Sequence, residues 1–427
     1  MDLDIHLDGA WHACATVDPT TGDLSVRGPV RVRYEADYAI EHLEAQDHRA
    51  LSVRAPVDLA FRSLPHWPPF LVDLLPQGAA RKRLEKHAAN PLGPWELLER
   101  GAVNPVGNLR VRPAQPVQTI THLGFTLQEM VQRGDAFVDH ALAQGAAIAG
   151  ATDTQGDAPK FWVVEDETGR WHPDSGQLPF PIRRHALLKF PVPEAGPRAE
   201  EILRHEAIYQ AVAARLGLRV TRELPQFIEG ALLIPRFDRR AVDAREIRLG
   251  VESLYSITGV VDSASVALRH DQVLIELARC VTDFETEFAE YARRDFLNLA
   301  LGNRDNHGRN QAILKEVDGS IRLAPIYDFG PAYLDARAIA RVIHWDGEAA
   351  GGGAWPAVLD RLDIRFDEAG LESPREAFLR AAATTLPQLD ALPQTLRECG
   401  AAPSIIEQRA PEIERLAATL RALGANP

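Results

Sequence analysis

Cysteine is scarce in this sequence. Three cysteines, Cys14, Cys280 and Cys399, are scattered over 427 residues, and their number is odd. They form no metal-ligand spacing and are typical of proteins of the reducing cytoplasm, where we expect this protein. A run of about 18 apolar residues, which a membrane-spanning helix needs, is absent, and the acidic N-terminus lacks a signal-peptide pattern. The sequence therefore predicts no membrane segment.

Positive charge is in deficit, and lysine in particular is rare. The chain has 47 Lys and Arg residues against 60 Asp and Glu residues, and its net charge is −13. A net negative charge argues against direct binding of nucleic acid through the protein's own electrostatic field. Binding through a basic partner stays open. Only five of the 47 basic residues are lysines, which leaves 42 arginines. A lysine in such a sequence suggests a place where a compact point charge suits a phosphate better than a planar guanidinium.

The length and the pattern of elements indicate two or three packed units rather than one core. Apolar residues make up 45% and charged residues 25% of the chain, as in ordinary globular proteins. Short alternating runs with Gly and Pro turns are frequent in the first half, whereas the sequence after about residue 250 is mostly of helical period. We predict an α+β fold with a small N-terminal subdomain over 1–115, a β-rich domain over 116–238 and a helical domain over 239–427.

Several predicted elements frame the polar segments of the chain. The expected helices include Leu127–Gln144, Arg198–Leu216, Val281–Leu301, Ala377–Leu389 and Ile405–Leu423. The expected strands include Leu3–Leu7, Phe161–Glu165, His185–Pro191 and a hairpin of Gln311–Leu314 with Ile321–Ile326.

The polar loop Gly302–Asn310 follows one of these helices, and an Asp-Phe-Gly triplet that starts at Asp328 comes eighteen residues after the loop. Phosphoryl transfer from a nucleotide needs a carboxylate beside the attacking hydroxyl and oxygen ligands for metal ions. By residue type, order and spacing, Asp305 is the candidate for the base. Asn310 and Asp328 are the candidates for the Mg²⁺ ligands. A polar loop at a helix end would explain the first motif alone, and its pairing with the second favours a kinase of two lobes. His307 either orders the loop through hydrogen bonds or acts as a second acid–base group.

A second pair of residues predicts where a nucleotide would bind. Lys189 lies within an apolar strand, and Glu206 lies on the apolar stripe of the following helix. Burial of an unpaired carboxylate is costly, so we expect a cation opposite Glu206, and Lys189 is the candidate. Kinases position their nucleotide-binding lysine in this way. The alternative is that Glu206 lies at the solvated edge of the stripe.

Two further segments complete the predicted nucleotide site. The small-residue loop 150–160 precedes a strand, and its Gly156 and Lys160 would cover the phosphates, because such loops let backbone N–H groups approach phosphate closely. An ordinary loop beside a hairpin explains the same residues. The segment from Ile234 to Phe237 would join the two lobes and hydrogen-bond the adenine.

Taken together, these motifs resemble the HipA family of bacterial toxin–antitoxin serine/threonine kinases. The resemblance spans roughly residues 1–400 and includes the catalytic loop, the metal-binding motif, an arginine-rich hinge, the nucleotide-lysine strand and two motifs of a small N-terminal domain. The matching segments are Gly302–Asn310, Pro325–Asp328, Arg236–Arg239, Leu188–Pro191, Phe70–Gly78 and Val106–Val111.

The resemblance implies a cytoplasmic, ATP- and Mg²⁺-dependent protein kinase with a β-rich N-terminal lobe and an all-α C-terminal lobe. It implies a toxin that arrests growth, as in bacterial persistence, by phosphorylating a translation component such as an aminoacyl-tRNA synthetase. It also implies a helix-turn-helix antitoxin of the HipB type that brings the kinase to operator DNA. An acidic toxin on a basic DNA-binding partner would agree with the net charge of −13.

The sequence departs from the family pattern at two places. Family members commonly have lysine where this chain has Arg309, whose guanidinium can still contact phosphate. The family's Gly-rich loop carries a serine whose autophosphorylation switches the enzyme off, but residues 150–160 contain no serine. Thr152 and Thr154 are the only hydroxyl groups there and are the candidates for autophosphorylation.

Two other functions stay open from the sequence. A kinase of a small molecule or lipid headgroup would use the same acid, loop, Asn and acid arrangement. A nucleotide-binding co-repressor that has lost transfer would keep the fold alone, although the intact motif residues argue against it.

Overall fold

The structure is a computed structural model that describes residues 1–86, 88, 90–113, 123–143, 158–175, 178, 180–242, 245–262, 267–349 and 353–424. The chain divides into two compact units, and each is built from separate stretches of sequence. Unit 1 comprises Met1–Val192, Pro225–Asp262 and Leu314–Ser320, and unit 2 comprises Pro193–Leu224, Ser263–Ile313 and Ile321–Pro427.

The described residues form strands and helices that are numbered in chain order. The strands are β1 (Asp2–Leu7), β2 (Ala10–Pro19), β3 (Val30–Tyr34), β4 (Arg62–Leu64), β5 (Leu109–Val111), β6 (Lys160–Asp166), β7 (Trp171–Pro173), β8 (Ile182–Lys189), β9 (Gln226–Ile228), β10 (Ala231–Pro235), β11 (Arg239–Val242), β12 (Arg245–Arg248), β13 (Gly250–Ser253), β14 (Ala312–Lys315) and β15 (Ile321–Leu323). The helices are α1 (Ala36–Glu41), α2 (Pro69–Asp73), α3 (Gly78–Lys86), α4 (Pro94–Gly101), α5 (Leu127–Arg133), α6 (Phe137–Ala143), α7 (Ala199–Arg215), α8 (Leu254–Ile257), α9 (His270–Cys280), α10 (Phe284–Leu301), α11 (Trp355–Glu368), α12 (Arg375–Glu398) and α13 (Pro403–Ala422).

Unit 1 contains two five-stranded antiparallel sheets. The first has the order β4-β3-β2-β1-β5 and opens with a hairpin whose turn residues, Asp8 and Gly9, have φ of +50° and +83°. Positive φ at both central residues is what a tight hairpin turn requires, and Asp-Gly supplies it at low cost. The second sheet has the order β7-β6-β8-β10-β9 and covers α5 and α6 with an apolar face that includes Phe161 and Leu188.

Unit 2 is mainly helical and contains α7, α9 and α10 through α13. Its core is rich in aromatic side chains, and the ring of Phe378 on α12 contacts Phe296 of α10 and Trp355 of α11. Edge-to-face aromatic contacts of this kind add to the burial of apolar area. No helix among the described residues is long and apolar enough to cross a membrane.

Most of the predicted elements are confirmed, with local differences. The predicted helix Leu127–Gln144 is interrupted, because Gly134 takes φ of +55° between α5 and α6. The helix predicted from Val281 begins at Phe284, since Asp283 accepts a hydrogen bond from the Thr286 N–H at 3.2 Å and acts as its N-cap. The hairpin β11–β12 and the helices α9 and α11 had no sequence prediction. The domain boundaries at 115 and 238 stay predictions.

Candidate active site

The C-terminal end of helix α10 positions the polar loop in unit 2. Its last carbonyl groups lack partners within the helix, and side chains from elsewhere in unit 2 supply them. Arg409 donates to the carbonyl oxygens of Leu299 at 3.0 Å and Ala300 at 2.9 Å, and the Tyr209 hydroxyl donates to that of Leu301 at 3.1 Å. The position where the loop begins is therefore fixed by three side-chain donors.

Gly302 ends the helix with φ of +71°. A Cβ atom at this position would lie 2.7 Å from the Tyr333 ring and 3.0 Å from the Arg409 guanidinium. Both the left-handed backbone and the close packing thus require glycine.

Within the loop, Asp305 and Asn310 are joined directly. The side-chain Nδ2 of Asn310 donates to the backbone carbonyl of Asp305 at 2.8 Å, which orients the other amide atom, Oδ1, as a candidate metal ligand. The Asn310 N–H donates to the His307 carbonyl at 3.0 Å and closes a turn. The predicted base and one predicted metal ligand therefore share a single compact loop.

His307 contacts both ends of this arrangement. Its Nδ1 accepts a hydrogen bond from the Arg309 N–H at 3.2 Å, so a neutral ring carries its hydrogen on Nε2, 3.5 Å from Oδ1 of Asp305. The side chains of Asp305 and His307 are 33% and 34% exposed, which leaves both within reach of a substrate. These contacts favour a role of His307 in ordering the loop.

The predicted hairpin brings the Asp-Phe-Gly triplet, which starts at Asp328, next to the loop. The Ala324 N–H donates to the Ala312 carbonyl at 2.8 Å, and the Tyr327 hydroxyl then donates to the Arg309 carbonyl at 2.7 Å. Asp328 follows with φ of +51°. A positive φ at a non-glycine residue is strained and is found most often where function fixes the backbone.

Helix α7 packs against the same motif. Glu206 is 5% exposed, which contradicts the alternative that it lies at a solvated edge. A Cβ atom built on Gly330 would lie 3.5 Å from Cβ of Glu206, and the ring centroids of Tyr209 and Phe329 are 5.6 Å apart. Unit 2 thus brings together Glu206, the loop and the Asp-Phe-Gly triplet.

The predicted phosphate-binding lysines lie in unit 1, on neighbouring strands. Lys189 ends β8 and is 8% exposed, and Lys160 begins β6 as its direct cross-strand partner. Residues paired in this way start their side chains on the same face of the sheet, so the two lysines lie side by side. The predicted pairing of Lys189 with Glu206 stays a prediction.

The predicted hinge segment lies at the end of β10. Ile234 faces Leu187 in the strand pairing, and Phe237 follows two residues after the strand. Adenine binding by this segment stays a prediction. Gly156, Thr152 and Thr154 lie outside the described residues.

The donor chemistry of the site fits the predicted cofactors. Mg²⁺ prefers oxygen ligands and is usually held by one or two carboxylates together with the phosphates of a nucleotide. In unit 2, Asn310 and Asp328 offer an amide oxygen and a carboxylate of this kind. In unit 1, Lys160 and Lys189 are cations of the kind that contact phosphate.

A family model for the HipA-like C-terminal domain matches residues 148–386, which is more than half of the chain. This chain belongs to the HipA-like family. The matched span contains Lys189, Asp305, Asn310 and Asp328.

Two known proteins show how far the likeness to the HipA-like family extends. Y4mE of Sinorhizobium fredii (strain NBRC 101917 / NGR234), which carries the name "Putative kinase Y4mE", is 25% identical over 274 residues. That match covers 61% of this chain and 63% of the relative, so it spans less than two thirds of the relative's length.

A solved complex of the Shewanella oneidensis MR-1 toxin–antitoxin system contains HipA, HipB and operator DNA. It matches with a TM-score of 0.66 and 16% identity, and the match covers 99% of this chain and 97% of that one. The predicted mixed, two-lobed fold is confirmed by this likeness.

Three residues of the site escaped prediction from the sequence. Tyr327 fixes the loop through its hydroxyl, while Asn306 and Arg341 hold the chain segment that follows the second motif. Tyr327 and Asn306 each adjoin a predicted site residue, Asp328 and Asp305, which is a usable signal, whereas Arg341 gave none.

Proposed function

We propose that this HipA-like protein is an ATP- and Mg²⁺-dependent serine/threonine protein kinase. The observation that carries the proposal is the joining of two distant motifs in unit 2. Asn310 is hydrogen-bonded to the Asp305 carbonyl, and Tyr327, next to Asp328, is hydrogen-bonded to the loop at Arg309. Family membership supports the same conclusion.

Each loop residue has a role in this proposal. Asp305 accepts the hydrogen bond of the substrate hydroxyl, orients its oxygen towards the γ-phosphorus and takes up the proton. The new O–P bond forms as the bond from the γ-phosphorus to the bridging oxygen breaks, and ADP leaves. Arg309 contacts phosphate through its guanidinium. His307 keeps the loop in shape through the hydrogen bond from the Arg309 N–H.

The metal would be held by Asn310 and Asp328. When bound, Mg²⁺ neutralises charge on the phosphates of ATP. Lys189 and Lys160 would contact these phosphates from the sheet of unit 1, and Glu206 would orient Lys189. Ile234 and Phe237 would border the adenine.

We extend the proposal to the biological role and the partners. The neighbour from Shewanella oneidensis is a toxin–antitoxin complex with HipB and operator DNA. By this analogy the chain would be a toxin that phosphorylates a translation component, and a helix-turn-helix antitoxin would carry it to operator DNA. The net charge of −13 is consistent with a basic, DNA-binding partner.

The purified chain, incubated with Mg²⁺ and γ-labelled ATP in a cell extract, tests this proposal. Asp305→Asn should abolish label transfer to protein, because the side chain keeps its shape but loses the proton acceptor. Asp390→Asn, at an exposed position on α12, is a matched control that should transfer as the wild type does. Transfer by Asp305→Asn at the wild-type rate would overturn the assignment.

The same experiment separates the alternatives. Label in the small-molecule fraction instead of the protein fraction would favour a kinase of a small molecule or lipid headgroup. Measurable binding of ATP without any transfer would favour a co-repressor that has lost catalysis.

A further inference from the structure

The residue beside the proposed base is buried and holds a distant chain segment. Asn306 is 2% exposed although its neighbour Asp305 is open to solvent. Its Oδ1 accepts hydrogen bonds from the N–H groups of Val342 at 3.0 Å and Ile343 at 3.4 Å, and its Nδ2 donates to the Ile343 carbonyl at 3.1 Å. One side-chain amide thus forms three contacts with the backbone of two adjacent residues.

Only an amide side chain can form this set of contacts. It presents a donor and an acceptor side by side, as a peptide group does, whereas a carboxylate can only accept. The backbone groups of Ile343 are buried, and a buried peptide group without a partner is costly. Both the loop and the segment therefore depend on the contact.

A second set of contacts fastens the same segment to the helix that carries the loop. Arg341 donates from Nη2 to both carboxylate oxygens of Asp295 on α10, at 3.0 and 2.9 Å. The indole Nε1 of Trp345 donates to Asp295 Oδ2 at 2.7 Å. The segment Arg341–Trp345 is thus held on both sides of its contact with Asn306.

The chain that follows the second motif returns to the loop through these contacts. It leaves the loop region at Asp328, the proposed metal ligand, and returns to the loop at Val342 and Ile343. Tyr327 fixes one end of this path to the Arg309 carbonyl, and Asn306 fixes the other. The backbone on both sides of Asp305 and Asp328 is thereby constrained.

We propose that Asn306 is a positioning residue, which sets the orientation of Asp305 by clamping the catalytic loop to the segment Arg341–Trp345. The inference rests on the proposed kinase function and deepens it. As a positioning residue, Asn306 is not proposed to contact substrate or metal. It acts through the backbone of the loop, and a misplacement of about 1 Å at a catalytic group can lower a rate about 100-fold.

The test compares Asn306→Ala with Asn306→Asp in the full chain. Transfer of label from ATP to the protein fraction of an extract is measured at varied MgATP. Asn306→Ala should lower the apparent kcat about 100-fold and leave the KM for MgATP within about threefold. Asn306→Asp replaces the donor with a buried carboxylate oxygen that faces the Ile343 carbonyl oxygen, so it should lower kcat at least as far as Asn306→Ala.

A second measurement, hydrogen exchange, reports on the segment Arg341–Trp345 directly and does not require kinase activity. Hydrogen exchange of a peptide that covers residues 341–345 should be faster in Asn306→Ala than in the wild type. Asn108→Ala is the matched control, because Asn108 is 1% exposed and its Nδ2 donates to the His48 carbonyl at 2.7 Å in unit 1. That variant should keep the wild-type kcat and the wild-type exchange at 341–345.

The outcomes separate this inference from the proposed function. If Asp305→Asn abolishes transfer but Asn306→Ala stays within threefold of the wild-type kcat, the positioning role is wrong and the kinase function stands. If Asp305→Asn transfers as the wild type does, the kinase function and the positioning role both fail. If hydrogen exchange at residues 341–345 is unchanged in Asn306→Ala, Asn306 does not clamp this segment, whatever the transfer assays show.

Discussion

Each unit contains a buried cluster around an aspartate that is paired with arginine, and the two clusters are built differently. In unit 1, Asp238 accepts from Arg236 at 2.9 and 2.7 Å and from Arg239 at 2.7 Å. In unit 2, Asp295 accepts from Arg341 and Trp345, which are 46 and 50 residues away. We call these sets the Asp238 cluster (Arg236, Asp238 and Arg239) and the Asp295 cluster (His270, Asp295, Arg341 and Trp345).

The difference lies in what each cluster needs in order to form. The three residues of the Asp238 cluster lie within four consecutive positions, so little chain entropy opposes the contacts among them. Asp238 and Arg239 also bond the backbone of Gly107, which is 131 and 132 residues away. The Asp295 cluster forms only when the segment Arg341–Trp345 is docked on α10, and that segment also receives Asn306 of the catalytic loop. The first cluster therefore stabilises unit 1 through contacts within that unit, whereas the second links the stability of unit 2 to the geometry of the catalytic loop.

The largest expected effect is from Asp238→Ala. Burial opposes the charge on this carboxyl, but Arg236 and Arg239 outweigh burial and hold its pKa well below the usual range. Removal of the carboxylate leaves two buried guanidinium groups without their shared partner and also removes the acceptor of the Gly107 N–H at 2.8 Å. We expect a loss of about 3–5 kcal/mol in the free energy of unfolding by urea.

Asp390→Ala is the control for this variant. The Asp390 side chain is 52% exposed in its pair with Arg421, and its loss should cost less than about 1 kcal/mol. A change below about 1 kcal/mol for Asp238→Ala would show that the Asp238 cluster contributes little to unit 1.

Asp295→Asn should have the next largest effect. Burial raises the pKa of Asp295 and Arg341 lowers it, with a net shift downwards. The substitution removes the charge that Arg341 faces, but Glu348 still pairs with Arg341, so we expect a loss of about 2–3 kcal/mol in unfolding free energy. Unlike Asp238→Ala, this variant should also speed hydrogen exchange at residues 341–345. Equal exchange in both variants would contradict the proposed link to the catalytic loop.

The same contrast explains what the sequence could predict. The arginine-rich segment around Asp238 and the loop with Asp305 and Asn310 are local patterns, and both are recognisable in the sequence alone. The buried state of Glu206 followed from helical spacing. The clamp at Asn306 could not be predicted, because its partners are backbone groups 36 and 37 residues away and no residue type marks them.

Acid should weaken both units, and one buried histidine in each shows how. Burial lowers the pKa of His270 to about 3, and Arg341 adds to the shift while Asp295 opposes it. Burial and then Arg248 lower the pKa of His6 to about 3 as well, against the opposing charge of Glu246. Since these folded-state values lie below the ordinary histidine pKa of 6.5, each histidine contributes stability that is complete above pH 6.5 and falls as the pH drops towards 3.

Because of each histidine, the free energy of unfolding should be about 2 kcal/mol lower at pH 5 than at pH 7. His270→Gln and His6→Gln should therefore each flatten the decline of unfolding free energy between pH 7 and pH 5. Urea unfolding at several pH values measures this slope, and an unchanged slope in His270→Gln would show that His270 takes up no proton on unfolding in this range.

The smallest effects on unfolding free energy should come from substitution of two tryptophans. Trp345 belongs to the Asp295 cluster, and Trp162 lies against Arg236 of the Asp238 cluster. Trp345→Phe removes the indole N–H that donates to Asp295, a bond to a charged group, and should cost about 1.5 kcal/mol. Trp162→Phe keeps an aromatic ring below Arg236, whose guanidinium carbon lies 4.0 Å from the indole centroid, and should cost under about 1 kcal/mol. The contrast is sharpest in hydrogen exchange: Trp345→Phe should loosen residues 341–345, whereas Trp162→Phe should leave them unchanged. If both variants loosened that segment, the two clusters would not be independent, and the assignment of loop positioning to unit 2 alone would be wrong.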